Sequence, residues 1–229
     1  MYNHAGDKIW KYKGTANGSV AGDFDGDGHL KFAVCDKGDI HLLNESGNEI
    51  WAKNRGWIWH AEIAVLEPGQ KPELVLNGRD GDLDIFDENG NELARNHTMK
   101  PVTHFCLIPW PEANSSPAVL AVEDESLSIM KPSGKLLADW KVPECKSAVG
   151  SQAVWFQPTL SSARYLVVMV DVVGGAVLVV YDTAGKIVYE ETRSAGSYAV
   201  AVFPTSTGQS LLVGGNGDVT KFTLKGPKV

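Results

Sequence analysis

Short apolar runs alternate with polar, glycine-centred breaks along the whole chain. Phe32-Ala33-Val34, Leu74-Val75-Leu76, Val119-Leu120-Ala121, Leu166-Val167-Val168 and Leu211-Leu212-Val213 each lead into a turn-forming stretch such as Lys37-Gly38-Asp39, Gly174-Gly175 or Asn216-Gly217-Asp218. Runs this short, bounded by such residues, predict β-strands. Upstream lies a second series of runs, including Glu62-Ile63-Ala64-Val65-Leu66, Phe105-Cys106-Leu107-Ile108 and Ala199-Val200-Ala201-Val202-Phe203. No window carries the 3.6-residue apolar spacing of an amphipathic helix, so the pattern predicts an all-β chain.

Downstream of each pair of runs comes a recurring polar turn. Asn44-Glu45-Ser46-Gly47-Asn48-Glu49-Ile50-Trp51 matches Asn3-His4-Ala5-Gly6-Asp7-Lys8-Ile9-Trp10, and further copies centre on Gly90, Gly134 and Gly185. These glycines recur at roughly 41 to 51 residue intervals, a spacing of propeller blades. A glycine turn between alternating segments predicts a hairpin, so each unit holds four short strands. The expected fold is a five-bladed β-propeller of four-stranded antiparallel blades, a single domain over residues 1–229. Its units run about 13–55, 56–99, 100–145, 146–195 and 196–229, the last completed by 1–12. Asp218 to Leu224 supplies a third strand with no fourth, while Lys8 to Tyr12 reads as a fourth strand with no third. Pairing them would close the ring and remove exposed edges. The competing expectation is a piece of a longer array.

Charge narrows the partners. A formal net charge of −7 and a pI near 5.4, with dispersed lysines and arginines, argue against nucleic acid or an anionic membrane surface. No run approaches the roughly 20 apolar residues of a membrane span, and the first residues lack the pattern of a signal peptide. Three cysteines, Cys35, Cys106 and Cys145, without a CxxC pair, suggest neither a disulfide framework nor a zinc knuckle.

The acidic stretch Gly22-Asp23-Phe24-Asp25-Gly26-Asp27-Gly28, followed by an apolar strand, resembles the opening of FG-GAP/VCBS propeller repeats of the integrin alpha-head kind. The turn-plus-tryptophan hairpins also look like those of quinoprotein-type and outer-membrane-assembly propellers. The resemblance implies a propeller with Ca2+ in the loop between two strands of one blade. Asp23, Asp25, Asp27 and the carbonyl of His29 fit the alternate-ligand order of a calcium loop. Lys31 stands where those repeats usually place an acid. The second reading is a metal-free turn whose aspartates accept backbone N–H bonds and pair with Lys31. For the compartment, free cysteines fit cytoplasm, whereas the resemblance fits an extracellular or periplasmic site.

A propeller's inner strands line a channel. The positions entering those strands are Ser19, His60, His104, Gln152 and Tyr198, a polar ring suited to a small polar ligand. Trp57 and Trp59 beside His60 suit stacking on a sugar, and Arg79 comes from a turn on the same face. Trp10, Trp51 and Trp140 follow the repeat turns and read as packing between blades. The expected function is a non-enzymatic recognition or scaffold propeller binding a small polar ligand, a glycan first, or a protein partner. The alternatives are a carbohydrate-active enzyme, for which no convergent carboxylate pair stands out, and a structural subunit of a larger complex.

Overall fold

A computed structural model describes residues 1–2, 4–56, 58, 60–77, 81–96, 104–110, 116–123, 125–145, 148–194, 198–215 and 217–222. These residues form five β-sheets and contain no helix. The first sheet holds β1 (Ala16–Gly22), β2 (Lys31–Asp36), β3 (Asp39–Leu43) and β4 (Glu49–Asn54) in chain order. The second holds β5 (Ala61–Ala64), β6 (Glu73–Asn77), β7 (Leu83–Phe86) and β8 (Glu92–Asn96), and the third β9 (Phe105–Ile108), β10 (Ala118–Glu123), β11 (Ser126–Met130) and β12 (Leu136–Lys141). The fourth is β13 (Ala148–Phe156), β14 (Tyr165–Val172), β15 (Gly175–Tyr181) and β16 (Ile187–Ser194). Three strands make the fifth: β17 (Tyr198–Thr205), β18 (Gly208–Gly215) and β19 (Asp218–Phe222). The all-β class and the four-strand repeat follow the sequence pattern.

Burial explains that pattern. Middle strands such as β10 and β15 are covered on both faces and read as continuous apolar runs, because a strand buried on both sides has no polar face to alternate. Outer strands alternate, as Ile187–Ser194 does residue by residue. The chain divides into two compact units, Met1–Ala118 with Met130–Lys135, and Val119–Ile129 with Leu136–Val229. Phe24, Ile40, Leu42, Ile58, Leu74 and Phe86 centre the core of the first, and Phe156, Val167, Met169, Leu178 and Val213 that of the second. In the first unit β1 packs beside β5 and β5 beside β9; in the second, β13 packs beside β17.

The repeated turns share one construction. Gly47, Gly90, Gly134 and Gly185 each donate to the carbonyl three residues back, on Asn44, Asp87, Lys131 and Asp182. In three of them the Asn or Asp side chain also accepts two backbone N–H bonds, as Asp87 Oδ1 does from Asn89 (2.9 Å) and Asn91 (2.7 Å). The four glycines have φ between 77° and 82°, a region that an L side chain enters only with strain.

Three of these turns carry an indole. Trp10 lies over Gly47, Trp51 over Gly90 and Trp140 over Gly185, so closely that a Cβ on the glycine would sit 2.7, 2.9 and 2.3 Å from the ring. Trp10 Nε1 donates to the Glu45 carbonyl (2.6 Å) and Trp51 Nε1 to that of Glu88 (3.0 Å). The rings also meet Phe32, Phe86 and Tyr181 respectively. Trp51 and Trp140 thereby clip β4 and β12 to the turn of the next sheet, and Trp10 clips the segment ahead of β1 to the turn of the first.

Lys8 to Tyr12, expected as an outer strand, belongs to no strand. Tyr2 bridges Lys8, Ile9 N donates to the Met1 carbonyl (3.0 Å), and the Met1 ammonium donates to the Trp10 carbonyl (2.8 Å). Local pairing of the first ten residues satisfies those backbone groups, and the fifth sheet has three strands among the described residues.

Candidate functional site

His60 and His104 stand immediately before β5 and β9 in the first unit, and the neighbouring positions of those strands bring them together. His60 is fixed from three sides. Its N–H donates to Asn77 Oδ1 (2.6 Å), its Nε2 lies 3.1 Å from Glu62 Oε1, and its ring meets Phe105 edge to face at 4.9 Å. Glu62 Oε2 accepts the Leu107 N–H (3.1 Å), so both carboxylate oxygens are engaged in orienting the imidazole and tying β5 to β9. Burial, and then the charge of His60, hold the His104 imidazole below its usual range. The result is a half-buried polar cluster with two imidazoles that can donate or accept hydrogen bonds. A carboxylate held on both oxygens is poorly placed for the acid or base role of a glycosidase.

Ser19 and Gln152, expected just ahead of their strands, lie inside β1 and β13. In both strands pairing continues past a bulge, at Asn17 and Val149, so each strand starts earlier than the apolar run suggests. Ser19 is exposed; Gln152 Oε1 accepts the Val200 N–H (3.3 Å). Tyr198 opens β17 but is 8% exposed within the core of the second unit, and its hydroxyl donates to the Ser194 carbonyl (2.7 Å). Its ring covers Gly215, where a Cβ would sit 2.0 Å away. Packing thus claims this side chain. Trp57, Trp59 and Arg79 lie outside the described residues. Asn77, fully buried and clamping His60, carried no signal in the sequence, since a lone asparagine at a strand end reads as turn composition.

The acidic loop runs from Asp23 to Lys31 in the first unit. Asp23 accepts the Gly26 N–H (2.8 Å) on one oxygen and the Gly28 N–H (3.0 Å) on the other. Asp27 Oδ1 accepts the His29 N–H (2.8 Å). Lys31 Nζ stands 2.7 Å from both Asp25 Oδ1 and Asp27 Oδ2, with the lysine 8% exposed. One oxygen from each aspartate lies within 4.8 Å of the others, close enough for a shared cation. The Lys31 ammonium pairs with two of these three carboxylates. The hydrogen bond from Lys31 holds Asp27 down at about 2, while for Lys31 desolvation is outweighed by the bonds it donates to Asp25 and Asp27, which push it up. Two of the three carboxylates share the Lys31 ammonium and the third is bound to backbone amides, so the donor set does not fit a calcium ion while Lys31 is in place. His29 pairs through its side chain with Glu45 and is pushed up by that contact.

The fold defines the chain as propeller-like, and the comparisons agree. By sequence it matches no family model and no curated protein. Among solved structures it is similar to three propellers. It covers 96% of its own length and 64% of Saccharomyces cerevisiae Sqt1 at 12% identity and a TM-score of 0.63. For BamB from Moraxella catarrhalis the values are 94%, 63%, 16% and 0.56. For BBS1N, crystallised in complex with ARL6DN, they are 85%, 74%, 10% and 0.53. The chain therefore spans under two thirds of the Sqt1 and BamB chains, and identities this low establish the fold alone.

Proposed function

We propose that this chain is a non-enzymatic recognition propeller whose main partner is a protein. The observation that carries the reading is the fold likeness to BBS1N, a propeller crystallised with another protein, ARL6DN. It is an analogy of fold, and propellers host many activities. The bound, doubly engaged Glu62 adds weight against the hydrolase alternative. His60 and His104 are the polar groups we assign to the recognition surface, and a small polar ligand at this cluster is the second reading, favoured by two neighbouring imidazoles, of which His60 is held by Asn77, Glu62 and Phe105. Glycan stacking rests on Trp57 and Trp59. We further propose that Lys31 replaces a metal in the acidic loop.

The test is affinity capture with the full chain, followed by reconstitution of each stoichiometric complex from purified components, with a glycan array in parallel. A reconstituted complex weakened at least about tenfold, or roughly 1.4 kcal/mol, by His60→Ala or His104→Ala supports the protein reading. Array binding lost in Trp57→Ala/Trp59→Ala replaces it with a lectin. Polysaccharide turnover abolished by Glu62→Gln overturns both.

A further inference from the structure

The fifth sheet carries apolar residues on both faces, and one of those faces is exposed. In the other four sheets the second strand is buried at consecutive positions: 33–35 in β2, 74–77 in β6, 118–122 in β10 and 166–170 in β14. In β18 burial alternates. Leu211 and Val213 are buried, whereas Ser210, Leu212 and Gly214 are half-buried. Leu211 and Val213, with Val200, belong to the core of the second unit. The opposite face follows from the register, because cross-strand partners share a face. One row on it is Ala199, Gly214 and Val219, and the next is Ala201, Leu212 and Lys221, with Phe203 two residues further along β17. Ala199 and Ala201 are exposed, Phe203 is 51% exposed and Val219 71%.

Composition and exposure conflict on this face. A strand with one side in water normally alternates apolar and polar positions, as β16 does with Glu190, Thr192 and Ser194 at exposed positions. The exposed positions of β17 include Ala199, Ala201 and Phe203 instead. Single exposed apolar side chains are ordinary, but a contiguous apolar face marks an interface. The net charge of the chain is −7, yet none of the described positions on this face is a carboxylate and its one charge is Lys221. Two acidic copies can therefore meet there without opposing carboxylates.

The geometry points to this face as the interface of a two-fold homodimer. With the axis running along β18, each β17 lies over the other copy's β19, and every row keeps its level. Val219 then meets Ala199, the stem of Lys221 meets Ala201, and Leu212 meets its own counterpart. A larger side chain faces a smaller one on both flanks of the axis, and the two Lys221 ammoniums stand on opposite edges of the contact. Such an interface is isologous and closes at two copies. It lies in the second unit, apart from the His60 and His104 cluster, and stands whether or not that cluster binds anything.

Sedimentation equilibrium of the full chain, from micromolar to near-millimolar concentration, tests the proposal. A mass rising to twice that of one chain is expected. Val219→Asp sets an unpaired carboxylate against Ala199 in a dry contact and should raise the dissociation constant at least about tenfold, as should Ala199→Lys. Mixing the two variants should restore a dimer, because the introduced carboxylate and ammonium then face each other. Amide shifts that move with concentration at Ala199 and Val219, and not along β16, locate the contact in the wild type without any substitution and decide alone should a variant not fold. A wild type that keeps the mass of one chain, a mass above two chains, or a folded Val219→Asp that dimerises as before overturns the interface. A mixture no tighter than either variant alone overturns the laying of β17 on β19.

Discussion

Replacing Gly90 by alanine separates the two reasons for a glycine at the repeated turn. The first is backbone strain: at φ 77° an L side chain costs about 1–2 kcal/mol. The second is the indole. A Cβ at Gly90 would sit 2.9, 3.1 and 3.2 Å from three ring atoms of Trp51, so either the turn or the ring must move. Overpacking of this sort costs about 1–3 kcal/mol. A tilted ring would also weaken the Nε1 bond to the Glu88 carbonyl, worth about 1 kcal/mol. The total expected for Gly90→Ala is therefore roughly 2–6 kcal/mol. Gly69 provides the control, since its φ is 83° and nothing lies within 4 Å of a Cβ there, leaving only the strain. Urea unfolding followed by far-UV circular dichroism reads both, and the comparison holds when the slope m is unchanged. Adding Trp51→Ala should rescue part of the Gly90→Ala loss, with a coupling of about 1–3 kcal/mol. Equal losses at Gly90 and Gly69, with no coupling to Trp51, would refute the clip.

Further outcomes follow from the loop, the histidines and the thiols. Millimolar CaCl2 should leave the wild-type melting temperature unchanged, whereas Lys31→Asp should gain a rise of roughly 2–4 °C per kcal/mol of calcium binding; a rise in the wild type would mean the ammonium does not hold the cation's place. Because Lys31 holds Asp27 at about 2, its contribution is present above the unfolded value of about 3.9 and lost as pH falls toward the folded one. Lys31→Met should therefore flatten the stability profile over that acid window. The His104 imidazole is also depressed, by burial and then His60, so its neutral form contributes stability above about 6.5 that is lost as pH falls; a profile unchanged by His104→Gln contradicts this. Burial pushes the Cys35 thiol up to about 12, so a thiol reagent should label half-buried Cys106 well before Cys35 in the native protein.

The strand repeat was legible because two-faced burial leaves a mark that composition cannot hide. Buried β10 and β15 read as unbroken apolar runs, and every repeated turn announces itself by its glycine. The packing role of Trp51 was equally visible, since it follows that glycine at a fixed distance. The fate of residues 8–12 was not, because the sequence says which strand type a segment favours and not whether its first neighbours will pair with it instead. The packing of Tyr198 was hidden for a related reason: a tyrosine beside a strand start looks polar until Gly215 leaves a flat bed for its ring. Lys31 was flagged as an anomaly, but that its ammonium reaches both Asp25 and Asp27 depends on loop curvature. Asn77 was invisible, for a single amide gains its role only from His60 lying opposite.

Amide hydrogen exchange resolved by strand bears most directly on the repeated four-strand units. The account predicts slow exchange throughout the doubly covered strands β2, β6, β10 and β14 with their partners β3, β7, β11 and β15, and faster exchange along β4, β8, β12 and β16. Uniform protection across each set of four, or protection with the three- to four-residue rhythm of helices, would contradict it.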